Sequence, residues 1–224
     1  VELHARTIED LFGQRPTTFR NTELIIREDI ARIVESMGFA TLLGEGADRL
    51  LGWRKPFWPY RPAGCSALKL LLRCYSLSDD IGFRFSNRQW PEYPLFADKY
   101  AKWLHGMSSD AAVVCLFMDY ETFGEHQWAD TGIFEFVEHL PGQVLANPRF
   151  SFATPAEVAM AHDPVARLDI PHPVSWADTE RDLTAWLGNH MQRAAHEALY
   201  SLVPTVRKAA SAGRADLYEK WRKL

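Results

Sequence analysis

Short apolar runs, each followed by a polar loop and then a helical pattern, set the tightest limit on how this chain can fold. Residues 17–20 lead into Asn21-Thr22-Glu23, and residues 39–43 lead into Gly44-Glu45-Gly46. Residues 68–72 precede a loop that reaches Asp79-Asp80, and residues 111–118, the strongest strand candidate, end at Asp119. Residues 150–153 form a fifth candidate strand. Helices are expected over 28–37, with Gly38 as the stop, and near 95–104. Thr154-Pro155-Ala156-Glu157 has the spacing of a capping box with proline at the first helical position. From Asp182 onward the pattern is helical almost to the end, with interruptions near Gly188 and Pro204. Strands that are apolar on both faces and alternate with helices imply an α/β fold with a parallel, helix-covered sheet. Ligands of such folds gather at the carboxyl ends of the strands. Four successive strand ends would therefore bring Glu23, Glu45, Asp79-Asp80 and Asp119 to one edge.

Composition narrows the function classes. The chain has 224 residues, 47% apolar and 24% charged, which excludes disorder and fibrous repeats. Its net charge is −4, with acidic and basic residues mixed along its length. A charge-driven nucleic-acid binder gathers Lys and Arg on one face, so nucleic acid is not expected as a partner. The apolar runs at 68–72 and 111–118 fall far short of the roughly 20 residues a membrane-spanning helix needs, so neither is a membrane. Cys65, Cys74 and Cys115 are odd in number and show no C-x-x-C spacing, which supports neither a disulfide framework nor a zinc knuckle. Buried thiols in a reducing, cytoplasmic compartment are the expectation. The chain has no initiator methionine, and Val1-Glu2-Leu3-His4-Ala5-Arg6 reads as the inside of a helix, so a piece of something longer is expected. The sequence gives no indication of oligomeric state.

Carboxylates along one strand edge suit three roles. A pair flanking a glycosidic bond acts as nucleophile and general acid/base. Several together bind a divalent cation, and any one of them can cap the helix that follows. Aromatic residues make up 12% of the chain, and many fall in expected loops, among them Trp53, Trp58, Tyr75, Trp90, Trp128 and Trp176. Such rings combined with a few placed polar groups suit a small ligand such as a sugar; stapling loops to the core is the alternative use. His162, Asp163 and His172 lie in a proline-broken stretch without zincin-like spacing, so no metal and no cofactor is expected.

Four blocks carry a more specific signal. Phe19-Arg20-Asn21-Thr22-Glu23-Leu24-Ile25 and the block from Met118-Asp119-Tyr120-Glu121-Thr122-Phe123-Gly124 to Gln127 resemble two conserved blocks of glycoside hydrolase family 57, in its archaeal and bacterial α-amylase-like branch. Leu77-Ser78-Asp79-Asp80-Ile81-Gly82-Phe83-Arg84-Phe85-Ser86 and Ser175-Trp176-Ala177-Asp178-Thr179-Glu180-Arg181-Asp182 resemble further blocks of that branch, in the same order. The resemblance implies a retaining enzyme acting on α-1,4-glucans or maltooligosaccharides, built on an incomplete (β/α)7 barrel. It also implies that Glu23 is the nucleophile and Asp119 the acid/base. Arg20 could keep Glu23 ionised, but strand alternation would send the two to opposite faces unless the chain bends at Asn21-Thr22. Phe117, Met118 and Tyr120 could desolvate Asp119 and Glu121 could repel its charge, and both effects raise a carboxyl pKa.

The remaining substrate-contact candidates are Arg20, Glu45, Asp80, Arg84, Glu121, His126, Trp176 and Asp178. Asp80 and Arg84 could instead pair with each other, and Asp178 could cap the next helix. Glu45 lies between two glycines that permit close backbone approach. The expected organisation is a partial catalytic barrel over 1–180 and a helical segment over 181–224 packed on it. Two blocks of the family that should lie upstream of Val1 are absent, Ile26 stands where the family has Tyr, and truncation at both ends is expected. Two other readings remain open: a 4-α-glucanotransferase using the same pair, and an inactive glucan-binding fragment.

Overall fold

Register along one parallel sheet organises the first part of the molecule. The computed structural model describes residues 1–107, 109 and 111–224. Its strands are β1 (Thr18–Arg20), β2 (Thr41–Glu45), β3 (Arg61–Pro62), β4 (Lys69–Arg73) and β5 (Arg167–Leu168). β1, β2 and β4 lie side by side in that order and run parallel, while β3 and β5 form a separate parallel pair. The register sets Arg20 beside Leu43 and Glu45 beside Arg73. The helices of this part are α1 (Glu2–Phe12), α2 (Glu28–Ser36), α3 (Asp48–Leu51), α4 (Tyr75–Gly82), α5 (Ala97–Gly106), α6 (Ile133–Leu145) and α7 (Pro155–Ala161).

Both faces of the sheet are covered, as the continuous Leu run requires. Leu70 and Leu72 point to one side, where they pack with Leu42 and with Ala31 and Val34 of α2. Leu71 points the other way, onto Cys115 and Val158 of α7. Each of these three leucines is at most 1% exposed, and burying each stabilises the fold by about 2 kcal/mol. A separate core joins α4, α5 and α6 through Ile81, Tyr100, Ile133 and Phe136. The Tyr100 hydroxyl there donates to the Leu77 carbonyl at 2.9 Å.

Local sequence signals explain several boundaries. α2 stops where Gly38 adopts a left-handed φ of 85°, which an L side chain would resist. α7 begins in the expected capping box: the Glu157 N–H donates to Thr154 Oγ1, and the Thr154 N–H donates to Glu157 Oε2 at 2.7 Å. Glu35 near the end of α2 accepts the Ser66, Ala67 and Leu68 N–H groups on Oε1 at 2.9, 2.7 and 2.9 Å. These bonds fix the entry to β4 and hold the Glu35 carboxyl below its ordinary pKa.

Two expected strands do not form. Residues 111–118 carry no assigned strand; among the described residues their one bridge to the sheet joins Cys115 to Arg73, and 150–153 are irregular. The hydrogen bonds of the first segment go elsewhere. The Ala112 and Val113 N–H groups donate to the Phe57 carbonyl, and the Phe117 N–H donates to Ser78 Oγ. An apolar run becomes a strand only where a neighbouring backbone is in register, and along 111–118 a loop carbonyl and a side chain take that place.

Contacts divide the described residues into two compact units, Val1–Trp176 and Ala177–Leu224. The second holds α8 (Thr184–Leu187), α9 (His190–Ser201), α10 (Val203–Ser211) and α11 (Ala215–Trp221). Breaks fall around Gly188 and just before Pro204, which occupies the first turn of α10. Tyr200 meets Trp221 edge to face at 5.7 Å, and Trp221 Nε1–H donates to the Leu199 carbonyl.

A Cβ on Gly46 would lie 2.3 Å from the Arg73 carbonyl oxygen, so this glycine permits the close approach of the β2 and β4 ends. Gly46→Ala should therefore lower stability by about 1–3 kcal/mol in urea unfolding. Glu35→Ala should cost about 2 kcal/mol at pH 7, since three backbone N–H groups lose a charged acceptor. Because the folded-state pKa of Glu35 is depressed, its contribution is complete above the unfolded value of about 4.3 and disappears as pH falls through the folded value. The difference between the wild type and Glu35→Ala should shrink over that acid range.

Candidate functional site

The site is built where β1, β2, β4 and the 115–119 segment end. After Arg20 the chain leaves the sheet and makes a single 3-10 turn, Thr22–Leu24. Glu23 and Leu24 both adopt left-handed φ, 51° and 50°. Consecutive non-glycine residues in that region are uncommon, and each costs on the order of 1–3 kcal/mol, so the surroundings must impose the shape. Leu24 is fully buried, and Asn21 Nδ2–H donates to the Ile25 carbonyl at 3.0 Å. Ile26 exchanges both backbone hydrogen bonds with Val174, and the Trp176 N–H donates to the Glu23 carbonyl.

That pairing delivers Trp176 to Glu23. The indole Nε1–H donates to Glu23 Oε2 at 2.8 Å, and the Arg20 guanidinium lies over the ring, 4.7 Å from its centroid. The bend therefore satisfies the condition that strand alternation imposed: Arg20 and Glu23 meet on one indole. Trp176, expected as a stacking platform for sugar, has Arg20 over its ring and Glu23 at its edge.

Sequence reasoning missed Arg73. Its Nη1–H donates to Glu45 Oε2 at 3.0 Å, its Nη2–H to Asp79 Oδ1, and its Nε–H to the Phe117 carbonyl at 2.6 Å. Its Cζ lies 5.6 Å from the Trp176 centroid. Arg73 is 4% exposed and Glu45 is fully buried. Glu45, expected to meet substrate, is here the internal counter-charge of Arg73, its direct neighbour in the parallel register. The overlooked signal was a cation closing β4 directly after three consecutive buried leucines.

Adjacent aspartates on α4 serve different partners. Asp79 faces Arg73, whereas Asp80 Oδ1 accepts Arg84 Nε–H at 2.6 Å. Arg84 also donates to the Ser76 carbonyl and lies 5.8 Å from the Trp90 ring centroid. The pairing alternative therefore describes Asp80 and Arg84 as they stand. Burial pushes the Asp80 carboxyl above its ordinary pKa, and Arg84 opposes the shift.

Asp119 is solvent-exposed and opens a 3-10 turn, Tyr120–Thr122, without its side chain capping it. The loop that follows is anchored beyond it: Thr122 is buried, Phe123 bridges Gln127, and Gln127 Nε2–H donates to the Gly82 carbonyl at 3.0 Å. Glu121 and His126 are exposed, joined by the backbone bond from the His126 N–H to the Glu121 carbonyl. Tyr120 is 90% exposed, so the apolar cover expected around Asp119 is not supplied by this neighbour. Its cause is the anchoring at Gln127, which holds the loop's far end and leaves its start in solvent. Asp178 belongs to the second unit, where it is exposed with a φ of 50°. It does not cap the next helix: Asp182 Oδ1 accepts the Thr184 N–H.

The structure thus groups Arg20, Glu23, Glu45 and Trp176 around Arg73 and Asp79, with Phe117 linking that group to the Asp119 loop. Among the described residues, no group of three or more His, Cys, Asp or Glu is placed to hold a metal ion. None of their helices is long and apolar enough to cross a membrane.

The chain is similar to known proteins in sequence and in fold. A solved 4-alpha-glucanotransferase from Thermococcus litoralis superposes with a TM-score of 0.64 at 16% identity, over 97% of this chain and 32% of the other. At that identity the likeness concerns the fold: parallel strands with many helices. A Methanocaldococcus jannaschii protein named "Putative alpha-amylase" is 46% identical over 202 residues, covering 89% of this chain. The chain spans 42% of that relative's length. The model of glycosyl hydrolase family 57 matches residues 1–171. The chain belongs to glycosyl hydrolase family 57.

Proposed function

We propose that the protein carrying this chain is a retaining glycoside hydrolase acting on α-1,4-glucans, with Glu23 as nucleophile and Asp119 as acid/base. The observation that carries the reading is that Glu23 follows β1 and Asp119 follows the segment bridged in parallel to β4, both at the carboxyl end of one parallel sheet, in a chain of this family. The same reading takes β1, β2, β4 and the 115–119 segment as part of an incomplete (β/α)7 barrel. A reducing, cytoplasmic setting agrees with three free, buried thiols.

Two displacements follow. Glu23 Oε2 is held by the Trp176 indole, which orients Oε1 for attack on the anomeric carbon. As the C–O bond breaks, Asp119 gives its proton to the departing glycosidic oxygen. The Asp119 carboxylate then takes a proton from an incoming hydroxyl, whose oxygen attacks the same carbon and frees Glu23. The exposure of Asp119 fits this exchange with water, and a bound sugar chain would supply the missing cover. Exposed Tyr120 and Trp128, on either side of the Asp119 loop, offer faces on which sugar rings can stack.

When the second hydroxyl belongs to a sugar, the enzyme is a 4-α-glucanotransferase; the fold of the Thermococcus enzyme favours keeping that alternative. A non-catalytic glucan-binding role is the third reading. Glu23→Gln and Asp119→Asn should each lower kcat on maltooligosaccharides on the order of 10⁴-fold. With an activated aryl α-glucoside, azide should give Glu23→Ala a β-glycosyl azide and Asp119→Ala an α-glycosyl azide. Full activity in either variant removes that residue from its role. Longer as well as shorter products from maltooligosaccharides identify transfer. Saturable binding without turnover, unchanged in Glu23→Gln, identifies the binding role.

A further inference from the structure

We infer that Arg73 is a positioning residue for both candidate catalytic carboxylates, an assignment that rests on the roles proposed for Glu23 and Asp119. The guanidinium is too buried, at 4% exposure, to meet a sugar. Its Nε–H holds the Phe117 carbonyl at 2.6 Å, and Phe117 lies just before Met118 and Asp119. Its Cζ lies 5.6 Å from the Trp176 ring centroid, and that ring's Nε1–H holds Glu23 Oε2 at 2.8 Å. One side chain thus links the segments that carry the two carboxylates. Glu45 and Asp79 hold the fork in place from two further sides. A lysine ammonium is a single point charge and cannot span acceptors fixed in the plane of a guanidinium.

Double displacement needs this kind of control. A retaining pair works at a separation of about 5–5.5 Å, and a misplacement of about 1 Å can slow a reaction about 100-fold. Arg73 is the group through which a shift at β4 would reach both partners.

The test compares Arg73→Lys and Glu45→Gln with Glu23→Gln and Asp119→Asn in the intact protein. kcat and KM are measured on maltooligosaccharides, and near-UV circular dichroism reports folding. Arg73→Lys should lower kcat about 100-fold and Glu45→Gln about 10-fold, with KM within about 3-fold of wild type in both. A purely structural arginine would instead leave kcat per folded molecule unchanged. A folded Arg73→Lys with wild-type kcat, or a loss confined to KM, overturns the inference. If Arg73→Lys does not fold, the isosteric Glu45→Gln decides, because it loosens Arg73 while leaving its bonds to Asp79 and Phe117; unchanged kcat there overturns the inference too. Full activity in Glu23→Gln or Asp119→Asn overturns the carboxylate assignment instead, whatever the Arg73 variants do.

Discussion

A guanidinium taken almost fully out of water is the constraint around which the sheet edge is arranged. Isolated burial of such a charge is strongly unfavourable, and removing one partner of a buried pair typically costs about 3–5 kcal/mol. Arg73 tolerates its place because Glu45 stands beside it in the parallel register, Asp79 approaches from the first turns of α4, and the Phe117 carbonyl accepts the remaining Nε–H. Each partner comes from a different stretch of chain. Their convergence fixes β2, β4, α4 and the 115–119 segment relative to one another, so the pairing acts on geometry as much as on stability.

The strained turn at Glu23 belongs to the same arrangement. Left-handed φ at Glu23 and Leu24 is unfavourable in isolation, yet the buried Leu24 side chain and the Ile26–Val174 pairing hold the chain there. In return the turn carries Glu23 out of the strand's alternation and onto the edge of Trp176, whose ring lies beneath Arg20. A relaxed extended strand would have kept Arg20 and Glu23 on opposite faces. Strain held by packing around a polar side chain is the pattern found where proteins fix functional groups.

Local signals were legible where their physics is local. The capping box at Thr154, the stop at Gly38 and the breaks near Gly188 and Pro204 depend on a few adjacent residues, and all appear where the sequence places them. Residues 111–118 have strand composition, but a strand is a relation between two backbones, and the Phe57 carbonyl takes the N–H groups of Ala112 and Val113. Glu45 read as a substrate contact because two glycines flank it. Gly46 serves instead to let the β2 end approach the Arg73 carbonyl and Gly44 makes room for the Ile26 and Leu70 side chains, while Glu45 between them is buried. Arg73 drew no notice, since two of its partners, Glu45 and Phe117, are remote in sequence and nothing beside it announces them.

By itself the sequence determined the alternation of apolar runs and helices, the parallel sheet this implies, and the acidic character of its carboxyl edge. Those properties follow from hydrophobic periodicity and from which residue types end each run, and both are local. Only the tertiary structure decided which carboxylates pair inward, as Glu45, Asp79 and Asp80 do, and which, among the described residues, stand outside ion pairs, as Glu23 and Asp119 do. That choice depends on where guanidinium groups from other segments arrive. Desolvation then favours a buried carboxylate only where such a cation meets it.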